Sequence, residues 1–185
     1  MNQQYILLIS HGHFEHFFLE KITEDIESEF YHPVKMKESH VDLSDFYDPT
    51  RRQYDGNRLI KYLDLASEPG SLKTIGLFNV DLFIPILTYI FGQAIYNGKT
   101  GIISLYRLRN EQYGMPGDDK LLLDRIRKVV IHELGHTFGL VHCHIPNCVM
   151  RSSTYVEDID QKNQNLCNKC KAEIETITGE KPVGK

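Results

Sequence analysis

The chain has 185 residues, 41% of them hydrophobic and 25% charged, and carries a formal charge of −4. That length suits one domain with a real core, and the mild acidity offers no pull toward nucleic acid or an anionic membrane, so neither is expected as a partner. No run approaches the roughly 20 apolar residues of a membrane span, and Tyr5–Ile9 is too short for a signal sequence. A cytoplasmic monomer with reduced thiols is the expectation.

Tyr5–Ser10 (YILLIS) reads as a buried strand, short, apolar and bounded by HGH. Phe14 to Glu29 follows with apolar residues at helical spacing, and Pro33 ends it. Val34–Leu43 is a more polar second strand. Asp42–Gly56 has the turn-forming residues of a surface loop. Asn57–Ala66 is a short amphipathic helix, and Thr74–Leu82 a third strand. Phe83–Asn97 is apolar without clean periodicity and reads as a partly buried connection. Gly101–Leu108 is a fourth strand.

Asp118 has the character of a helix N-cap. From Asp119 to about Gly139 the sequence runs as one helix, with Leu122, Ile126, Val129, Val130 and Leu134 on its core side. The remainder is irregular. The fold class is α+β, α/β-like in residues 1–139, with a small segment 140–185 organised by something other than a large core.

The stretch HELGHTFGLVH (His132–His142) carries the chemistry. Residues four apart on a helix share one face, so His132 and His136 can converge on one ion. Glu133 is rotated by about 100° and cannot easily ligate the same metal, but it can reach a water there. Gly139 can stop the helix in the left-handed region and bring His142 back toward the pair. Three neutral imidazoles and one open position describe a catalytic zinc site. The five positions would coincide by chance in about one of 10,000 shuffled chains of this composition. In such a site zinc lowers the pKa of its water, and Glu133 acts as general base and then general acid.

All four cysteines lie beyond residue 142, as Cys143, Cys148, Cys167 and Cys170. In a reducing compartment their C-x4-C and C-x2-C pairs suit a closed structural zinc site better than two disulfides or free buried thiols. Two zinc ions per chain are therefore expected, one held by three His and one by four Cys.

HExxHxxGxxH is the metzincin signature. The tail, with Cys143 directly after His142, then Cys148, Met150, Cys167 and Cys170, resembles the archaemetzincin family of zinc metallopeptidases. DPTRRQY (Asp48–Tyr54), DLFIP (Asp81–Pro85) and LLLDRIRKVVIHELGHTFGL (Leu121–Leu140) agree with it. The gap from Met150 to Cys167 is slightly shorter than the family's usual spacing.

The resemblance implies a single metzincin-like domain over 1–185, with a mixed twisted sheet and two long helices. It implies a Met-turn at Met150 beneath the His ligands, and a peptide substrate paired to an edge strand, for which Gly101–Leu108 is the candidate. It implies a zinc-dependent peptidase. The alternatives are a zinc hydrolase acting on a non-peptide amide and a non-catalytic zinc-binding interaction module. Because the first strand begins so early, an upstream plug over the metal is not expected.

Three other clusters carry weaker signals. HGHFEH (His11–His16) lacks the inverted zinc spacing and reads as a strand end and helix start. Tyr155 is too far past Met150 for the metal-assisting tyrosine of some metzincins. Arg51-Arg52 and Arg107/Arg109 read as solvated charges.

Overall fold

The structure is a computed structural model and describes residues 4–179; the first three and last six residues of the expected domain lie outside it. A five-stranded sheet organises the chain in the order β2-β1-β5-β9-β8. Its strands are β1 (Tyr5–His11), β2 (Val34–Ser39), β5 (Ser71–Phe78), β8 (Gly92–Ala94) and β9 (Thr100–Ser104). β2, β1, β5 and β9 run parallel, and β8 pairs antiparallel with β9.

The inner strands are largely buried and carry apolar centres because both faces of the sheet are covered. Along β1, Ile6 and Leu8 join one buried cluster with helix α1 (His16–Phe30) and helix α3 (Asp119–Thr137). Leu7 and Ile9 join a second cluster with Leu59, Ile60 and Leu63 of helix α2 (Gly56–Leu65). The period-two alternation of a strand thus divides four consecutive apolar residues between two layers.

The expected loop at Asp42–Gly56 and the expected connection at Phe83–Asn97 are partly strand. β3 (Tyr47–Asp48), β4 (Gln53–Asp55), β6 (Leu82–Ile84) and β7 (Leu87–Ile90) form a second, four-stranded sheet. Each segment is too short to display a period; β3 and β4, and β6 and β7, pair as local antiparallel hairpins, and the parallel β4–β6 pairing joins the two from a distance in sequence. The buried Asp81 carboxylate ties them to the main body, accepting from Gln53 Nε2 (3.1 Å) and from Arg107 (Nη2, 2.6 Å). Arg107 is therefore half-buried and ion-paired, not solvated.

The expected edge strand is also corrected. β9 is buried along its whole length and hydrogen-bonded on both sides, whereas β8 ends the sheet. The chain reaches the outer position first and returns inward, so chain order did not give spatial order.

α3 starts where Asp118 Oδ1 accepts from Leu121 N (2.9 Å). Leu122, Ile126, Val129, Val130 and Leu134 are buried, as their spacing anticipates. It ends at Gly139 (φ +97), where the N–H of Gly139 donates to His136 and that of Leu140 to Gly135. This is the double-bonded glycine cap, which satisfies the last carbonyls and reverses the chain.

Beyond it, α4 (Val156–Asp160) and α5 (Asn168–Thr178) give the C-terminal segment more regular structure than expected. Val149, Met150, Ile159, Leu166 and Ile174 belong to the same buried cluster as α3. Two ion pairs fasten this segment. The buried Arg125 binds Asp160 through two N–H groups (2.7 Å each), and the buried Glu29 pairs with Lys171 while accepting from Leu166 N and Asn165 Nδ2.

Candidate metal centre and active site

Helix α3 and the reversal after it bring His132, His136 and His142 together, with one ring nitrogen from each within 4.8 Å of the others. Nδ1 of His132 donates to the carbonyl of Val149, and Nδ1 of His136 to that of Leu140, both at 2.8 Å. These bonds assign the Nδ1–H tautomer and leave each Nε2 as a lone pair. The two Nε2 atoms face each other at 3.1 Å. Two acceptors so close call for a cation between them, so the donor set fits a metal.

Burial lowers the pKa of all three imidazoles, that of His132 well below its ordinary value; nearby Lys162 adds to the effect in each, and neighbouring imidazoles add to it at His132 and His142. They are thus neutral, the form that binds metal.

The rings open into a cavity of about 290 Å³. One wall is the segment Leu87–Gly92, another is α3, and the third is Ser152–Thr154 with Ile159 and Lys162. Glu133 lines the cavity beside the histidines, and burial pushes its carboxyl up to about 8, against a smaller downward pull from Lys162. A Cβ at Gly92 would lie 2.7 Å from Glu133 Cγ and 2.8 Å from Oε1. Only the bare backbone of β8 leaves room for the Glu133 side chain. Sequence reading passed over Gly92, although an isolated glycine in an apolar stretch is itself a sign of close approach.

Met150 is fully buried under the helix, against the missing side chain of Gly135. Its carbonyl accepts from Cys143 N (3.0 Å), which joins the segment below the histidines to the cysteine cluster.

The four cysteine sulfurs also lie within 4.8 Å of one another, with Cys143–Cys167 at 3.8 Å and Cys148–Cys170 at 3.9 Å, and none is disulfide-bonded. A tetrahedron of thiolates at about 2.3 Å from zinc has edges of about 3.8 Å, so this set too fits a metal. Burial pushes the thiols of Cys148 and Cys170 up; at Cys167 hydrogen bonds from Cys170 and the neighbouring thiols outweigh burial and bring it to about 7.

The HGHFEH residues are dispersed. His11 stacks on Phe78 (4.3 Å between centroids), His13 and Glu15 line a separate surface cavity, and His16 pairs with Glu20. Tyr155 is exposed and does not line the cavity. Lys162, Lys128, Tyr89 and Ser153 do line it, and no local pattern in the sequence marks them.

The family model described as Peptidase family M54 matches residues 22–176. The archaemetzincin of Thermococcus kodakarensis is 33% identical over 175 residues, covering 91% of this chain and 94% of its own. Among solved structures, the archaemetzincin of Methanopyrus kandleri superposes with a TM-score of 0.84 at 28% identity, covering 96% of this chain and 97% of that one. A zinc-dependent peptidase from Methanocorpusculum labreanum gives 0.83 at 28% identity, covering 91% and 99%.

Proposed function

The chain belongs to peptidase family M54, the archaemetzincins, and is a zinc-dependent metallopeptidase; from that footing we propose that His132, His136 and His142 hold the catalytic zinc and Glu133 moves the proton. The observation that carries this reading is the triad itself, whose free Nε2 atoms open into a cavity that Glu133 also lines. An interaction module would have no use for that open volume beside a buried carboxyl.

When bound, zinc supplies Lewis acidity, polarising a carbonyl and making a water a competent nucleophile near neutral pH. The protein supplies the rest. Val149 and Leu140 orient the imidazoles of His132 and His136. Glu133 accepts the proton of the attacking water and returns it to the leaving amine. Gly92 keeps the Glu133 carboxylate against β8.

The substrate backbone adds to the outer edge of β8, the end strand of the sheet, where main-chain pairing holds an extended peptide whatever its sequence. Cys143, Cys148, Cys167 and Cys170 hold the second, structural zinc, and Met150 floors the histidine site.

Glu133→Ala tests the assignment. Two zinc ions per chain should remain while peptide turnover falls by at least about 10²–10⁴-fold. Near wild-type turnover in the zinc-loaded variant contradicts it.

A further inference from the structure

Resting on the peptidase reading, we infer that the cavity beside the histidines contains a carboxylate-accepting subsite built from Lys162 and Ser153, so the enzyme selects peptides that present an acidic group next to the scissile bond.

Lys162 is only 8% exposed and lines the cavity together with Glu133 and the three histidines. Its ammonium donates to the carbonyls of Val149 (3.3 Å) and Arg151. An ammonium has three N–H groups, so one donor remains. Lys128, the other lysine of the lining, is already neutralised by Asp124 at 2.6 Å. Among the described residues Lys162 has no such ion pair. Burial draws its pKa down to about 8, which still leaves it protonated at neutral pH.

Ser153 supplies the second observation. Its hydroxyl is buried, lines the same cavity, and has no hydrogen-bond partner among the described residues. A buried hydroxyl without a partner costs free energy that a suitable ligand recovers. A cation with a spare donor and an idle hydroxyl are the complement of a carboxylate. The surrounding wall is apolar, with Phe91, Val129 and Ile159, which suits the methylenes of a glutamate between backbone and carboxylate. The same chemistry could come from the free C-terminal carboxylate of a short peptide.

The test uses uncleavable ketomethylene peptides bearing Glu or Gln at the position before or after the isostere. Each is made with a free and with an amidated C-terminus, and binding to zinc-loaded wild-type protein is measured calorimetrically. A Glu ligand should bind about ten-fold or more tightly than its Gln twin. Gain from the free terminus alone would identify that terminus as the group recognised. The preference should survive in Lys162→Arg, collapse in Lys162→Met, and weaken in Ser153→Ala.

Equal affinity for all acidic and neutral ligands in the wild type, or no binding at all, overturns the inference. So does a preference that persists in Lys162→Met. If Lys162→Met fails to fold, the wild-type comparison and Ser153→Ala still decide. Binding preference without cleavage of any matched peptide would instead remove the peptidase assignment and leave the subsite standing.

Discussion

The histidine centre and the cysteine centre share a stretch of backbone, since His142 and Cys143 are adjacent, yet they are walled differently. Around the histidines, two of the three imidazoles are fixed by carbonyls from behind, and the front is a cavity. Around the cysteines, four sulfurs crowd within 4.8 Å of one another, and Cys143, Cys148 and Cys170 are buried. Both donor sets fit the same ion. What separates catalysis from scaffolding is the fourth corner, open in one and taken by protein in the other.

Removing the closed centre has the largest expected effect. Structural zinc in small domains contributes about 10–16 kcal/mol, comparable to the whole stability of a domain at about 5–15 kcal/mol. Cys167→Ser with Cys170→Ser should therefore unfold the C-terminal segment. Through Cys143 and its bond to Met150, it should also lower metal occupancy at the histidines. Metal analysis after dialysis checks this, and an undisturbed histidine site would show that the two centres are independent.

A smaller effect isolates the open centre. Gly92→Ala puts a Cβ where Glu133 packs, and a misplacement of about 1 Å can cost about 10²-fold in rate. The expected outcome is a fall in kcat with both zinc ions retained. Unchanged kcat would mean that the contact with β8 does not position the carboxylate.

A further effect is on stability. In protein stripped at the histidine centre, Glu133 holds its proton up to about 8, whereas its ordinary value is 4.5. Between those values the unfolded chain has lost a proton that the folded state keeps. Stability attributable to Glu133 thus falls as pH rises through that window, by at most about 1.4 kcal/mol per pH unit. Glu133→Gln abolishes the dependence, so its advantage over wild type should grow from about pH 4.5 to 8 and then level off. Denaturant unfolding at several pH values measures it; a difference independent of pH rules out the raised pKa. Zinc loading should shrink the difference, because a nearby dication favours the carboxylate.

The same two centres explain what could be read from sequence. The histidines lie on two helical turns and one glycine bend, and the cysteines in two short pairs, so local geometry carries most of the constellation. β1 was legible as a short apolar run bounded by polar residues, and α1, α2 and α3 because each is long enough to show its own period. β3, β4 and β6 to β8 were not, since each is only two to four residues long and too short to show a period, even where its partner is a chain neighbour. The cavity wall suffered with them: Gly92, Tyr89, Ser153 and Lys162 meet the histidines only after the sheet and the C-terminal segment have packed. The edge strand was misassigned for the same reason.

The most direct measurement titrates zinc-loaded protein with a competing chelator, following zinc content, peptide cleavage and circular dichroism on one sample. The open histidine centre should release first, so activity should vanish with the first of two zinc equivalents while the helical signal persists. Activity surviving that loss, or disappearing only together with the fold, would contradict the division of labour between the two centres.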